Sequence, residues 1–288
     1  METAQALALT GLDRVMARVG QGAPAITVGL LDGPVAAGHG GFAEGALRAM
    51  PGHTLATDVT GSPAQRHGTM VAGVLAARRG GAAPGLCPGC PVLVRPVFDD
   101  GQAITDARRL ADGIVELVAA GARIINISAA FPVPGLLADT VLTPALDHAA
   151  VHGVLVVAAA GNDSRIGGSP LVSHPWVLPV AACDAAGGPL PGGTVGTSIG
   201  RRGVTAPGGG LTTLAPGGGL AVLAGTSAAA VLATGAIALA WSAAPDVPAV
   251  RVRHALLGSR SRRQLIPPLL DAWRIHQTIT GSDEEVAV

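Results

Sequence analysis

The sequence has no lysine and no tyrosine, and asparagine occurs only at Asn126 and Asn162. Apart from histidine, every basic side chain is therefore arginine. Set beside the abundance of alanine, glycine and proline, these gaps read as coding bias rather than as a functional signature. Charge is scarce as well: the formal net charge is +0 and neither sign forms a long run. That argues against nucleic acid as the main partner. No apolar run has the length and purity of a membrane span. The longest candidate, Ala228 to Trp241, is broken by Thr234 and Gly235 and falls short of the roughly 20 residues required. The N-terminus does not read as a secretory signal either. The only early apolar stretch, Ala6 to Leu9, has no basic residue before it and is soon followed by Asp13, Arg14 and Arg18. The expected location is cytoplasmic, with no membrane and no nucleic acid among the partners; nothing in the sequence fixes an oligomeric state.

Cysteine is sparse. Cys87-Pro88-Gly89-Cys90 has a spacing that suits a metal knuckle or a redox pair, but zinc needs two further ligands and no second cysteine pair exists. A tight disulfide, or two quiet thiols clamping a loop, is the favoured reading. Cys183 follows an apolar strand and is expected to be buried.

What is present is a large apolar fraction in 288 residues, enough for one sizeable α/β core. Short apolar runs at Ile26–Leu31, Val92–Arg95, Arg123–Ile127, Gly153–Ala158 and Val177–Ala181 read as strands. Helical stretches lie near His67–Ala77, Asp106–Ala119, Ala138–His152 and Ser227–Trp241. Such alternation predicts a mostly parallel sheet buried on both faces, with right-handed crossovers placing helices on both sides. A leading helix is expected over Leu12–Val19 and trailing helices over Pro248–Leu257 and Pro268–Thr278. The Gly- and Pro-rich stretch Gly187–Gly219 reads as loops and short strands near the site. Residues 1–280 are expected to form a single domain, and 281–288 a disordered acidic tail.

Four segments carry chemistry. Asp32 ends an apolar strand, where an α/β sheet presents functional side chains. His67 opens His67-Gly68-Thr69 and is expected at a helix mouth. Ser227 lies in Gly225-Thr226-Ser227-Ala228 at the head of a helix-forming run, at the positive end of the helix dipole. Asn162 closes the turn after a strand and could present a side-chain N–H to an oxyanion. Each has a duller reading: a turn-capping aspartate, a core or capping histidine, an N-cap serine, a turn asparagine. Together, in the order Asp, His, Ser, they supply orienting acid, base, nucleophile and oxyanion donor. The other seven histidines lack this context; His148 and His152, spaced i, i+4, read as a surface pair without a third metal ligand.

At these residues, from about Ile26 to about Leu257, the chain resembles the subtilisin-like serine peptidases (subtilases). Leu31 to Val35, His174 to Asp184 and Ser198 to Gly203 look like the subtilases of cyanobactin-type peptide maturation. The resemblance implies a three-layer subtilisin-like fold and an endopeptidase that cleaves the leader or follower of a ribosomally made precursor peptide. Two alternatives stand beside it, a transamidating macrocyclase and an inactive peptide-binding module. Departures are Met70 where a second histidine is common, no proline among Ala229, Ala230 and Val231, and Ser128-Ala129-Ala130-Phe131 in place of the usual substrate strand. The resemblance also implies substrate contacts. An extended peptide would pair along Ser128, Ala129 and Ala130 with a second rail at Gly101, and Phe131, Ala159, Ala160 and Gly161 would line the pocket before the cut. Calcium is common in the family, but Ala77 to Pro84 has no side-chain carboxylate or amide, so no cofactor is expected. Only about thirty residues precede Asp32, too few for a folded pro-domain. The interval from Asp32 to His67 is of ordinary length, which leaves no visible room for a macrocyclase's helical cover.

Overall fold

The computed structural model describes residues 1–98, 105–128, 136–164, 166–258 and 265–282; the side chains of 136–139 are not described. Gly101, Ala129, Ala130 and Phe131, expected in substrate binding, lie outside the described residues, as does the end of the chain from 283.

Two short helices open the chain, α1 (Thr3–Leu9) and α2 (Leu12–Val19). The first stands where the sequence offered only a weak signal-like stretch. It buries Ala6, and Thr10 closes it by donating its hydroxyl to the Ala6 carbonyl at 2.9 Å. The chain then alternates: β1 (Val28–Asp32), β2 (Leu47–Ala49), α3 (Pro63–Ala76), β3 (Val92–Pro96), α4 (Ala107–Ala119), β4 (Ile124–Ile127), α5 (Leu136–Val151), β5 (Leu155–Ala159), α6 (Pro170–Ser173), β6 (Leu178–Cys183), α7 (Thr197–Arg202) and β7 (Val204–Pro207). These seven strands form one parallel sheet in the order β2-β3-β1-β4-β5-β6-β7. A separate antiparallel pair, β8 (Leu211–Leu214) and β9 (Leu220–Leu223), precedes the long helix α8 (Thr226–Ser242). Helices α9 (Ala249–Leu257) and α10 (Ala272–Thr280) follow.

Strand periodicity sorts the side chains into two cores. Val28, Leu30, Ile124, Val157 and Val180 pack toward α3 and α8. Leu31, Ile125, Ile127, Val156 and Ala181 pack into the other core with residues of α4 and α5. The fold is the expected three-layer α/β arrangement.

Three boundaries differ from expectation. Helix α3 begins four residues before His67, because Ser62 caps it by accepting the Gln65 N–H and Pro63 takes the first helical position. Helix α10 begins at Ala272, with Asp271 as cap. Pro268 instead belongs to an extended segment whose neighbours flank β7: the Thr205 N–H reaches the Pro268 carbonyl at 2.7 Å, and the Leu270 N–H reaches the Thr205 carbonyl at 2.7 Å. Finally, β2 is a three-residue, half-exposed edge strand without an apolar run to announce it. No helix among the described residues is long and apolar enough to cross a membrane.

Candidate active site

The carboxyl ends of β1, β4 and β5 lie along one edge of the sheet, because all its strands run parallel. Asp32 is the last residue of β1 and is fully buried. The chain turns at Gly33 and returns as α3, which crosses directly over the turn. A Cβ on Gly68 would collide with the Gly33 carbonyl, and one on Gly33 with the Ala64 carbonyl. Two glycines thus let helix and turn touch backbone to backbone. That contact brings His67, in the second turn of α3 and not at its mouth, onto Asp32. The imidazole Nδ1 lies 2.6 Å from Asp32 Oδ1, and the same oxygen accepts the Gly33 N–H at 2.6 Å. Facing a carboxylate, Nδ1 must carry the proton, and Nε2 is left to accept.

Burial of the imidazole is the largest influence on His67 and pulls its pKa down. The Asp32 charge and hydrogen bond together outweigh it, and the net shift is upward from 6.5.

Nε2 points at Ser227 Oγ, 3.1 Å away. Ser227 is the second residue of α8, whose cap position is Gly225 at φ 80°, with no side-chain cap bond. The hydroxyl is therefore not engaged in capping. It has a second acceptor, the Ser128 carbonyl just beyond β4, at 3.1 Å. One proton thus has two possible destinations. When Nε2 is free it can take the hydroxyl proton; when Nε2 is protonated it donates to Oγ, and Oγ can donate to Ser128.

Asn162 follows β5 on an exposed turn. Its Oδ1 accepts the Thr226 N–H at 3.1 Å, a bond that fixes the amide's orientation, because an N–H cannot donate to Nδ2. The Nδ2 donors remain for the space beside Ser227, whose own N–H belongs to the first turn of α8 and has no intrahelical acceptor. A Cβ on Gly225 would sit 3.1 Å from Asn162 Oδ1, so the cap glycine makes room for this contact and also supplies the positive φ.

The structure therefore brings together all four residues singled out for chemistry. Of the substrate-contact residues, Ser128 stands buried at the end of β4. Ala159, Ala160 and Gly161 connect β5 to Asn162, with the Ala160 N–H held by the Val180 carbonyl at 2.9 Å and the Gly161 carbonyl accepting Thr194 N–H at 3.0 Å. Sequence reasoning missed Asn126, the chain's other asparagine. It is fully buried in β4, where it donates to Ser128 Oγ at 2.8 Å and accepts from Thr234 of α8 at 2.9 Å. A polar residue inside the apolar run Ile124 to Ile127 was the signal that could have found it.

The three cysteines are free thiols and buried, and the hydrogen bond between Cys87 and Cys90 lowers the pKa of Cys90 to about 7. Among the described residues no group of three or more histidine, cysteine, aspartate or glutamate side chains could hold a metal ion. The rings of His148 and His152 lie 4.1 Å apart at a tilt of 47°, with His152 Nδ1 directed at the His148 carbonyl.

Comparison with known proteins places this geometry. The family model described as "Subtilase family" matches residues 24–269. Subtilisin DY of Bacillus licheniformis is 30% identical over 85% of this chain and 86% of its own length. Fervidolysin of Fervidobacterium pennivorans is 32% identical over 48% of this chain but only 21% of its own. Among solved structures, the prenylagaramide maturation protease PagA superposes with a TM-score of 0.82 at 29% identity, covering 94% of this chain and 99% of that one. The patellamide maturation protease PatA does so with a TM-score of 0.75 at 32% identity, covering 91% and 99%. The PatG macrocyclase domain, at 22% identity, shares the fold, with a TM-score of 0.80.

Proposed function

The chain belongs to the subtilase family of serine peptidases, and from that premise we propose that it is an endopeptidase that cleaves a ribosomally made precursor peptide, with Ser227 as nucleophile, His67 as general base, Asp32 as orienting acid and Asn162 as oxyanion donor. The observation that carries the assignment is the continuous line Asp32 Oδ1, His67 Nδ1, His67 Nε2, Ser227 Oγ, with gaps of 2.6 and 3.1 Å. The precursor-peptide substrate rests on the likeness to PagA and PatA, which covers more than nine-tenths of both chains in each pairing. We take residues 1–280 as one catalytic domain.

The chemistry follows from the geometry. An extended peptide lies along Ser128, with its scissile carbonyl over Ser227. Oγ attacks the carbonyl carbon as its proton passes to His67 Nε2. The imidazolium is stabilised by the buried Asp32 carboxylate. The negative oxygen of the tetrahedral intermediate takes hydrogen bonds from the Ser227 N–H and Asn162 Nδ2 at the positive end of α8. Collapse breaks the C–N bond, and His67 returns the proton to the departing amine. Water, deprotonated by the same histidine, then hydrolyses the ester.

Hydrolysis is favoured over transamidation because the described residues between Asp32 and α3 supply no helical cover for that ester. Residues 33–62, between Asp32 and the start of α3, contain one short strand and no helix. Water reaches the acyl-enzyme and outcompetes a tethered amine. The reading is tested with a fluorophosphonate probe and a candidate precursor. The probe should form an Oγ–P bond at Ser227 with loss of fluoride, and mass spectrometry should find linear fragments of the precursor. A labelled Ser227→Ala variant would refute the nucleophile assignment; a dominant cyclic product would replace the endopeptidase by a macrocyclase.

A further inference from the structure

Helix α8 carries the proposed nucleophile, yet its sequence says little about how it should sit. Residues Thr226 through Trp241 are all buried, and Ala228, Ala229, Ala230, Ala233, Gly235 and Ala236 present small surfaces in every direction. An amphipathic helix is rotated into place by the contrast between its faces. This one has no contrast, and small side chains interlock weakly, so apolar packing alone leaves its rotation and axial position poorly specified.

Four residues of α8 carry hydroxyls, Thr226, Ser227, Thr234 and Ser242, and two of them break the uniformity toward β4. Ser227 and Thr234 are seven residues apart, two turns, and so lie on one stripe of the helix. Both meet β4. The Ser227 hydroxyl reaches the Ser128 carbonyl at 3.1 Å, and the Thr234 hydroxyl donates to Asn126 Oδ1 at 2.9 Å. On the strand, Asn126 and Ser128 are two residues apart and face the same side, with Ile124, while Ile125 and Ile127 face the opposite core. Asn126 closes the frame by donating Nδ2 to Ser128 Oγ at 2.8 Å. Asn126 and Thr234 are fully buried and Ser128 is 4% exposed. A helix slipped by one residue, rotated by about 100°, would strand the Asn126 carbonyl oxygen where no water competes for it.

We propose that Thr234 and Asn126 are positioning residues: together they fix the rotation and register of the nucleophile helix on β4, and thereby hold the Ser227 hydroxyl between His67 Nε2 and the Ser128 carbonyl. The proposal rests on the peptidase reading above. The second asparagine of the chain acts at the other end of the same stretch, since Asn162 Oδ1 takes the Thr226 N–H. Both asparagines thus hold α8, one at its first turn and one at its third.

The test separates positioning from plain stability. The rate constant of fluorophosphonate labelling is measured for wild type, Thr234→Val and Thr234→Ser, together with KM on a peptide ester and the thermal midpoint. Valine keeps the shape and removes the donor; serine restores the donor. Misplacement of a nucleophile by a fraction of an ångström to 1 Å slows attack by about tenfold to a hundredfold. Thr234→Val should therefore label about ten to a hundred times more slowly, with KM within about twofold, and Thr234→Ser should recover most of the loss. The labelling constant reports folded molecules, so partial unfolding does not mimic the effect. A core variant away from the site, Leu146→Ala, should lower the midpoint without slowing labelling. If Thr234→Val cannot be recovered folded, Thr234→Ala takes its place with the same expected slowing. A valine or alanine variant that labels within twofold of wild type overturns the clamp while leaving the peptidase reading intact. A wild type that does not label at all overturns the peptidase reading itself and the clamp with it.

Discussion

Among the described residues are two histidine–aspartate pairs, one at each edge of the sheet, and they are built inside out relative to each other. At the carboxyl edge, Asp32 is fully buried and the His67 side chain is 23% exposed; the pair is 2.6 Å apart. At the amino edge, between α5 and the segment leading into β6, the His174 side chain is 8% exposed and Asp147 is 66% exposed, at 3.2 Å. Both ring nitrogens of His174 are occupied, Nε2 by Asp147 and Nδ1 by the Trp176 N–H at 3.3 Å. Trp176 in turn donates to the Val154 carbonyl at 2.7 Å. A groove of about 610 Å³ lies alongside, lined by Thr143, Ser173, Trp176 and Arg253 among others, with Arg253 over the Trp176 ring. A histidine beside an aspartate is therefore not a catalytic signature by itself. The charge must be inside, where it can stabilise an imidazolium, and one ring nitrogen must be left for a third group. His67 meets both conditions and His174 neither.

The largest effects break the two pairs in opposite ways. His67→Ala removes the proposed base and should lower kcat on the order of a millionfold, as expected when one member of a serine–histidine pair is lost. The folded protein should still be recovered in good yield. His174→Ala removes a buried joint between α5 and β6. It should lower the thermal midpoint while the remaining folded molecules keep kcat within about twofold. Activity assays and melting curves on both variants check this; a His174 variant that is folded but inactive would put chemistry at the amino edge.

A smaller loss sharpens the carboxyl edge alone. Asn162→Ala removes Nδ2 and should lower kcat by roughly two to three orders of magnitude, with KM little changed, because the donor acts mainly on the oxyanion. The variant also deprives the Thr226 N–H of its acceptor; Thr226 is buried, but Asn162 lies on an exposed turn, and water entering the space of the deleted amide can take its place. Steady-state kinetics on a peptide substrate distinguish the outcomes: a loss confined to KM would make Asn162 a substrate contact.

The contrast also explains how much could be read from the chain beforehand. Five strands of the central sheet, β1, β3, β4, β5 and β6, were legible because burial on both faces makes their runs mainly apolar. β2 was not, being a half-exposed edge with a polar centre at Arg48. The juxtaposition of Asp32, His67, Ser227 and Asn162 was legible from residue type and order. His67 lies in the second turn of α3 and not at its mouth, because the start signal Ser62-Pro63 precedes it. Asn126 was passed over because its meaning depends on Thr234, 108 residues later, and only the packing of α8 on β4 brings the two together. His174 had only neighbours in sequence to speak for it, and those neighbours do not include Asp147.

The pH dependence should separate the edges further. His67 must be neutral to act as a base, and its pKa is raised above 6.5. The acid limb of kcat/KM should therefore fall above 6.5, with activity dropping about tenfold per unit below the limb. Stability runs the other way. A histidine whose pKa is higher folded than unfolded stabilises the fold below the unfolded value, and this contribution is lost as pH rises through the folded value. Activity should climb across the window in which the His67 contribution to stability declines. In Ser227→Ala the stability trend should persist without activity. An acid limb at or below 6.5 would mean that Asp32 does not hold the imidazolium as the 2.6 Å contact implies.

The smallest expected effect is the most informative about the amino edge. Asp147→Ala deletes a carboxylate that is two-thirds exposed, so its attraction for His174 is already weakened by water and salt. Such pairs contribute between zero and about 1 kcal/mol. The buried imidazole loses its acceptor at Nε2, but the groove beside it is open, and water can replace the carboxylate oxygen at little cost. The thermal midpoint should fall by at most a few degrees, the fall should shrink further in high salt, and kcat/KM should stay within twofold of wild type. The equivalent change at the other edge, Asp32→Ala, strips a fully buried charge from an imidazole that needs it and should cost several orders of magnitude in kcat. Measured side by side, the two aspartate variants test whether burial of the acid separates a working pair from a structural one. A large loss of kcat/KM in Asp147→Ala, with the fold intact, would show that the amino-edge groove takes part in handling the peptide, and the distinction drawn from burial would fail.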